Sequence, residues 1–498
     1  MNAHNEALTR SYLQRPVKSL IDSASSLSPV KKLLGSKQLA PDLLLPKKHL
    51  DGFVAACSLY SPRKVFKGIS PVSRSLIEYD PVSLWEQDTR RLPMALGEFR
   101  REIRQFAETQ LTPLAAKIDA APHLAPGQQH PELEALLVLA AEKGYLCDML
   151  PKPIGSVPLS RYRYPLAWQQ AIKAEELARA CGGLMLLLSA HNLGVAPLLL
   201  AGDLVAAKNH LLPAIKENKA GRPHLFAFAI TEPAAGSDVE EGHGASLYQP
   251  GTVATKVPGG WKINGRKCFI SGGDVAKSIT VFAALEGEGI ESWTCFLVKN
   301  DMPGFSVVRT ELKMGMRASG AAELEFNDVF VPDDHVIGGL RKGWAINRSI
   351  LNLSRMPVAA MAVGFAQAAT ELASDFACRY QLGGKALINY QEIQLMLAQM
   401  IGETTAIRSL VWESAQSWIP TQRKASINKF FCTDAAVNVC ETAMELMSNH
   451  GGLQENRAEK AFRDARLTQI FEGTNQINRL AVIEDVQEQL LESVELYQ

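Results

Sequence analysis

The sequence predicts an α+β multidomain chain: an N-terminal helical domain, a central β domain of barrel or sandwich type, and a C-terminal helical domain of four-helix-bundle class. Three observations carry this. Helical periodicity opens near residue 91, short β-rich runs separated by glycine turns fill 226–337, and long helical sequence returns after Gly343. At 498 residues the chain has room for roughly three units of about 150 residues each. The expected boundaries are an extension at 1–90, a helical domain at 91–225, a β domain at 226–337 and a helical domain at 338–498.

The extension stands apart in composition. Within its first fifty residues Arg10, Arg15, Lys18, Lys31, Lys32, Lys37, Lys47 and Lys48 face only Glu6, Asp22 and Asp42, a net charge of +5. Serines cluster at Ser23, Ser25, Ser26 and Ser28. A transit peptide has this texture, but its acids and dispersed bases favour a solvated extension lying across the body or a neighbouring subunit. Next, Leu96, Phe99, Ile103 and Phe106 mark one face of a 3.6-period helix, and Ala/Leu/Glu-rich stretches continue through 131–147 and 165–217. Leu184 to Ala201, interrupted by His191, Asn192 and Pro197, reads as a buried helix pair rather than a membrane span. The β runs are Phe226–Ile230, Ile279–Ala284, Trp293–Val298 and Phe305–Val308, punctuated by Gly259-Gly260 and Pro303-Gly304. Gly383-Gly384 and Gly451-Gly452 break the C-terminal helices.

Composition narrows the function. The chain is 47% hydrophobic and 21% charged, with 52 basic against 52 acidic residues, which disfavours nucleic-acid binding. Its eight cysteines form no CxxC pair and read as free thiols of a reducing compartment, the cytoplasm or alternatively the mitochondrial matrix. There is no nicotinamide-type GxGxxG after a strand, no P-loop, no GxSxG elbow and no HExxH. Asp333-Asp334-His335 is better explained as a polar turn after Val331-Pro332, and no metal is expected.

Three distant segments are chemically specific. Ala229-Ile230-Thr231-Glu232-Pro233-Ala234-Ala235-Gly236-Ser237-Asp238 offers small residues, hydroxyls and backbone N–H groups to a flat ligand, and would also serve as a capped turn. Trp261 to Gly272 contains Asn264-Gly265, a hairpin signal whose second strand would put Phe269 and Ser271 on one face. An ordinary hairpin would look the same. In Phe462 to Arg479, Glu472 follows Ile470-Phe471 and precedes Gly473-Thr474, ending an apolar run at a backbone break. A carboxylate among apolar groups has a raised pKa, which suits a general base.

Together and in this order the segments resemble the acyl-CoA dehydrogenase family. Further matches are Lys313-Met314-Gly315-Met316-Arg317-Ala318-Ser319, Phe326-Asn327-Asp328-Val329-Phe330-Val331-Pro332, Arg355, Gly364 to Gln367, and Arg379-Tyr380-Gln381-Leu382-Gly383. The resemblance covers about 92 to 490. It implies FAD held between the β domain and the C-terminal helices, and α,β-dehydrogenation of an acyl-CoA thioester with Glu472 taking the α-proton. Some branches carry the base immediately before the arginine; here that residue is Ser354, which reinforces Glu472. The base's own backbone N–H and a flavin ribityl hydroxyl would reach the thioester carbonyl.

The resemblance further implies that Phe228, Ile230, Thr231 and Ser237 line the flavin, with Ser237 also near the substrate. Phe269 and Ser271 replace the family's usual Trp and Thr beside the ring. Arg379 and Gln381 match a segment reaching the FAD pyrophosphate of a neighbouring subunit, which implies a homodimer or homotetramer. Thr474 and Gln476 match FAD contacts, while Arg355 and Gly473 are expected to border the substrate. The chain departs from the family at Glu445 to Gly452, at Leu150 to Gly155 and at Leu382, so an atypical branch is expected. With only nineteen residues after Arg479, no C-terminal membrane-associating domain and no stable membrane insertion are expected. The expected electron acceptor is an electron-transfer flavoprotein. The alternatives are an oxidase passing electrons to oxygen, a monooxygenase, which retention of Glu472 disfavours, and a non-catalytic flavin-binding interaction protein.

Overall fold

The structure, a computed structural model, describes residues 70, 83–125, 128–239 and 248–495. The expectations for residues 1–69 and 71–82 of the extension lie outside these. The chain divides into two compact units. One takes Met1–Glu102, Ala366–Thr404 and Asn438–Glu459; the other takes Ile103–Phe365, Thr405–Val437 and Lys460–Gln498.

Helix α1 (Leu84–Arg91) begins inside the expected extension, where the Ser83 hydroxyl accepts from the Glu86 N–H at 2.9 Å. Helix α2 (Met94–Phe106) buries Leu96, Phe99, Ile103 and Phe106, the stripe its sequence shows. After a π-helical turn come α3 (Thr112–Asp119), α4 (Pro131–Glu142), α5 (Leu166–Ala180) and α6 (Gly182–Leu200), then α7 (Leu212–Lys219).

The expected helix pair at 184–201 is one continuous helix, α6. Its polar interruptions do not break it because each has a partner. His191 donates Nε2–H to the Leu146 carbonyl at 2.9 Å and accepts the Phe226 N–H at Nδ1 at 3.0 Å, roles that require a neutral ring. Burial supplies that neutrality by pushing its pKa down to about 4. Asn192 donates to Asp148, and Pro197 falls in the last turn. Gly194 lets the first strand approach, since a Cβ there would stand 2.7 Å from Phe226 Cβ. Both α6 and the later helix Gly343–Arg379 are long and apolar enough to cross a membrane, and both are mostly buried inside the fold.

The central mixed sheet has eight strands: β1 (Phe226–Ala229), β2 (Val253–Val257), β3 (Gly260–Ser271), β4 (Ser278–Leu285), β5 (Thr294–Lys299), β6 (Phe305–Thr310), β7 (Ala321–Pro332) and β8 (Val336–Ile337). Their order is β6-β7-β3-β2-β4-β5-β8, with β1 added parallel to β4. Strand β4 is buried along its whole length, its two hydroxyls included, with Thr280 donating to the Ala227 carbonyl at 3.2 Å and Ser278 bonded to His224 at 2.9 Å.

The hairpin expected at Asn264-Gly265 turns elsewhere. Val257 pairs with Gly260, so the turn is Pro258-Gly259, with Gly259 at φ 78°. Pro followed by a left-handed Gly is the type II preference, and it outcompetes the Asn-Gly signal. Asn264-Gly265 instead runs on within β3, opposite a bulge in β7 where Asn327 and Asp328 face the single Asn264. There Asn264 exchanges hydrogen bonds with Asp328, accepting its N–H at 2.8 Å and donating to its carboxylate at 3.0 Å. Gly265, at φ 137°, is required because a Cβ would lie 2.6 Å from the Thr252 Cα.

C-terminal to the sheet lie α8 (Gly343–Arg379), a short β9–β10 pair (Gln381–Leu382 and Lys385–Ala386), α9 (Gln391–Ala415), α10 (Gln422–Met447), α11 (Ala458–Thr468) and α12 (Asn475–Glu495). The fold is thus helical at both ends of the sequence around a central mixed sheet. The seven described cysteines are buried.

Candidate active site

The segment between α11 and α12 is a strained turn. Glu472 has φ 56° and Gly473 φ 77°, two consecutive left-handed residues. Gly tolerates this; Glu does so only where the surroundings impose it, a pattern that concentrates at functional sites. Thr474 then caps α12, its hydroxyl accepting the Ile477 N–H at 3.3 Å. Asn478 ties the turn down from inside the helix, donating Nδ2 to the Gly473 carbonyl at 2.9 Å and the Thr474 carbonyl at 3.0 Å.

This turn holds the half-buried Glu472 against α8. Ser354 donates its hydroxyl to Glu472 Oε2 at 2.5 Å. Burial raises the carboxyl pKa, opposed by that hydrogen bond and by the positive charges of Arg355 and Lys429. Arg355 is buried and donates Nη1 to Ser426 Oγ at 3.0 Å on α10, so it is not a surface ion pair. The arrangement is a carboxylate poised to gain a proton in an enclosed setting.

From the sheet side, Ser237 Oγ accepts the Thr474 N–H at 3.0 Å, which brings the first and third sequence segments together. Ile230 and Thr231 are half-buried. Phe228 differs from its expected lining role: its ring is packed edge-to-face on Phe282 at 5.0 Å within the apolar core, because β1 is buried on both faces.

Between the register pairs Lys267–Leu324 and Ile270–Ala322, Cys268 and Phe269 oppose the single Glu323. Phe269 sits at φ 57° in this bulge, so simple alternation does not set its direction. Its ring is 61% exposed, while Ser271 is half-buried.

Beneath this segment lies a buried pair that sequence reasoning missed. Lys267 Nζ contacts Glu232 Oε1 at 2.7 Å and the Ile230 carbonyl at 2.9 Å. Glu232 also accepts the Tyr248 hydroxyl and the N–H groups of Gly251 and Thr252. Burial pushes its pKa up, but the Lys267 charge and these hydrogen bonds outweigh that and hold it below the usual carboxylate range. The Thr-Glu-Pro turn is therefore fastened from below.

The other expected residues fall elsewhere. Gln476 is exposed on α12. In the first unit, Arg379 pairs with Asp375 on its own helix. Gln381 keeps both side-chain amide atoms buried without a hydrogen-bond partner, and Leu382 is exposed. The altered loop of the same unit is a packed 3-10 turn, with the His450 ring 5.3 Å from Phe376 and 5.2 Å from Tyr380. Its Gly451 is obligatory, since a Cβ would lie 2.6 Å from the Met444 carbonyl oxygen. Leu150 to Gly155 is likewise closed, by the Gly155 N–H donating to the Pro151 carbonyl at 2.7 Å.

His210, Asp334 and His335 approach within 4.8 Å of one another. Each imidazole bonds a backbone carbonyl, Asp334 for His210 and Leu297 for His335, and the two rings pack edge to face. Those contacts account for the group structurally.

Models of the acyl-CoA dehydrogenase N-terminal, middle and C-terminal domains match residues 95–219, 227–329 and 341–487 respectively. Cyclohexane-1-carbonyl-CoA dehydrogenase of Geobacter metallireducens is 32% identical over 387 residues, which cover 77% of this chain and 95% of the relative. The structure of butyryl-CoA dehydrogenase from Megasphaera elsdenii matches with a TM-score of 0.69 at 30% identity, over 80% of this chain and 99% of that one. A chain in a structure described as the electron transferring flavoprotein of Acidaminococcus fermentans matches with a TM-score of 0.71 at 28% identity, over 80% of this chain and 98% of that one. The chain belongs to the acyl-CoA dehydrogenase family, and is an oxidoreductase of the acyl-CoA class. The family is one of FAD flavoproteins.

The residues present fit such a cofactor. The exposed aromatic side chain of Phe269, on the same strand as the half-buried hydroxyl of Ser271, is what a flat ring would engage. Two other residues escaped sequence reasoning, Ser426 and Lys429. Their signal was present in the spacing of Ser426, Lys429 and Thr433 at i, i+3 and i+7, a polar stripe inside an otherwise helical run.

Proposed function

We propose that the chain is an FAD-dependent acyl-CoA dehydrogenase in which Glu472 removes the α-proton of an acyl-CoA thioester. The observation that carries this is the Glu472 carboxyl: enclosed, raised in pKa by burial, and mounted on a strained turn bonded to Ser354. A base whose pKa approaches the working pH accepts a proton with less penalty than an ordinary carboxylate. Ser354, Arg355 and Lys429 oppose the burial effect by favouring the carboxylate form. Bound FAD supplies the acceptor for the β-hydrogen, which leaves as hydride. Ile230, Thr231, Ser237, Phe269, Ser271, Thr474 and Gln476 would hold it, with Arg379 and Gln381 engaging its pyrophosphate in a homo-oligomer. Phe228 acts on this set from the core, through the backbone of β1. Arg355 and Gly473 border the substrate.

The acyl group is taken to be short or cyclic, following the butyryl and cyclohexane-1-carbonyl relatives. Electrons then pass to an electron-transfer flavoprotein. The test is anaerobic titration of the FAD-loaded protein with butyryl-CoA and cyclohexane-1-carbonyl-CoA. Bleaching of the oxidised flavin spectrum by either thioester is the expected result. A yellow protein that neither thioester bleaches would defeat the substrate assignment. Rapid oxygen consumption during turnover would replace the electron-transfer flavoprotein with oxygen as acceptor.

A further inference from the structure

Lysine is among the residues least often fully buried, because its ammonium loses strong hydration. Lys429, on α10, is 0% exposed. Its Nζ donates to the Gly473 carbonyl at 2.6 Å and to Asn475 Oδ1 at 2.8 Å. The Gly473 carbonyl belongs to the Gly473–Thr474 peptide, one residue beyond Glu472. Lys429 therefore grips the strained turn one residue from the carboxylate.

The grip is itself braced. Asn475 donates Nδ2 to Thr433 Oγ1 at 2.8 Å and to Asp434 Oδ1 at 2.7 Å, and Asp434 pairs with Arg479 at 2.6 Å. Asn478 shares the Gly473 carbonyl from the opposite side at 2.9 Å. One face of α10 thus serves the site at three levels: Ser426 accepts from Arg355, Lys429 bonds Gly473, and Thr433 bonds Asn475. A neutral donor could satisfy the same carbonyl. Placing an ammonium in a dry site is costly, and the cost has a return here if the charge itself is used.

We propose that Lys429 is a positioning residue for the base: its buried ammonium clamps the Gly473 carbonyl, holds the Glu472–Gly473 turn left-handed, and sets the field in which the Glu472 carboxyl ionises. This deepens the assignment of Glu472 as base and rests on it. The charged groups facing Glu472 are Arg355 from α8 and Lys429 from α10, with Ser354 as the hydroxyl donor. Both cations favour the carboxylate, so removing either leaves the proton more tightly held.

The test compares the FAD-loaded full chain with its Lys429→Met variant, which keeps length and loses charge. Three readouts are taken: kcat and KM with the thioester that bleaches the wild type, the acid limb of kcat against pH, and the pH titration of the carboxyl infrared band that Glu472→Gln removes. The expected result is a fall in kcat of about 10²-fold, as for a misplaced catalytic group. KM should stay within threefold, and both the acid limb and the infrared midpoint should move to higher pH. A folded variant with unchanged kcat and midpoint overturns the proposal. So does a loss of activity that tracks only lost flavin and melting temperature. If the Met variant does not fold, Lys429→Ala is assayed with added ethylamine: recovery of tenfold or more supports the clamp, and no recovery overturns it. Failure of the wild type to be bleached would instead count against Glu472 as base, which keeps the two failures apart.

Discussion

Ser354 Oγ lies 2.5 Å from Glu472 Oε2 and donates its proton to it, so a position that could have carried a rival carboxylate instead supports the one present. A hydrogen bond to the charged form favours that form and opposes the burial that raises the Glu472 pKa. Ser354→Ala should therefore move the acid limb of kcat/KM to higher pH. At neutral pH kcat/KM should fall roughly tenfold, the effect of losing a hydrogen bond to a charged group worth about 1.5–3 kcal/mol. A pH–rate profile of the variant checks this; an acid limb unmoved or shifted downward contradicts it.

The same carboxyl should cost the fold stability. A raised folded-state pKa means that Glu472 contributes favourably when protonated, and that this contribution is lost as pH rises through the folded value. Glu472→Gln removes the penalty while keeping a group able to accept from Ser354. The variant should melt higher than the wild type near pH 8, with the gap closing toward pH 4. Melting curves at both pH values decide, and a variant less stable at pH 8 would contradict the burial argument.

The Lys267–Glu232 pair predicts the opposite behaviour. Both side chains are buried, and Glu232 also holds the N–H groups of Gly251 and Thr252. Breaking one half leaves a buried charge alone, so Glu232→Ala should cost about 3–5 kcal/mol in denaturant unfolding. Glu232 is held below the usual carboxylate range, so its contribution is present at neutral pH and lost as acid protonates it. A loss under 1 kcal/mol would show that the Thr-Glu-Pro turn does not depend on the pair.

Phe269 separates fold from cofactor. Its backbone is left-handed and its ring 61% exposed, so the side chain contributes little burial and the conformation suits glycine. Phe269→Gly should leave the melting temperature of the cofactor-free protein unchanged or slightly raised, yet weaken FAD binding about tenfold by removing an aromatic face. Equal FAD affinity in fluorescence titration would place the flavin ring elsewhere.

Much of this architecture was legible in the sequence because it follows local rules. The Leu96, Phe99, Ile103 and Phe106 stripe is buried as its period demands, and the β-rich run Ile279–Ala284 is a strand buried throughout. What misled was competition among local signals. Asn264-Gly265 lost the turn to Pro258-Gly259 and stayed within β3 opposite a bulge in β7, and Pro197 stands inside α6, three residues before its end. Of the candidate site, Glu472 could be singled out by its setting between Phe471 and Gly473. Lys429 and Ser426 show in the sequence only as members of a polar stripe with Thr433; the stripe does not name their partners, which lie 44 and 71 residues away. Phe228 was placed by motif, and its burial beneath Phe282 depends on both faces of the sheet being covered.

The central claim is that Glu472 removes the α-proton, and stopped-flow reduction of the FAD-loaded protein by butyryl-CoA, in wild type and Glu472→Gln, tests it most directly. The account predicts an unchanged oxidised flavin spectrum in the variant and a reduction rate lower by about 10²–10⁴-fold, the range for loss of a general base. Reduction of the variant at the wild-type rate would contradict it and assign proton removal to another group.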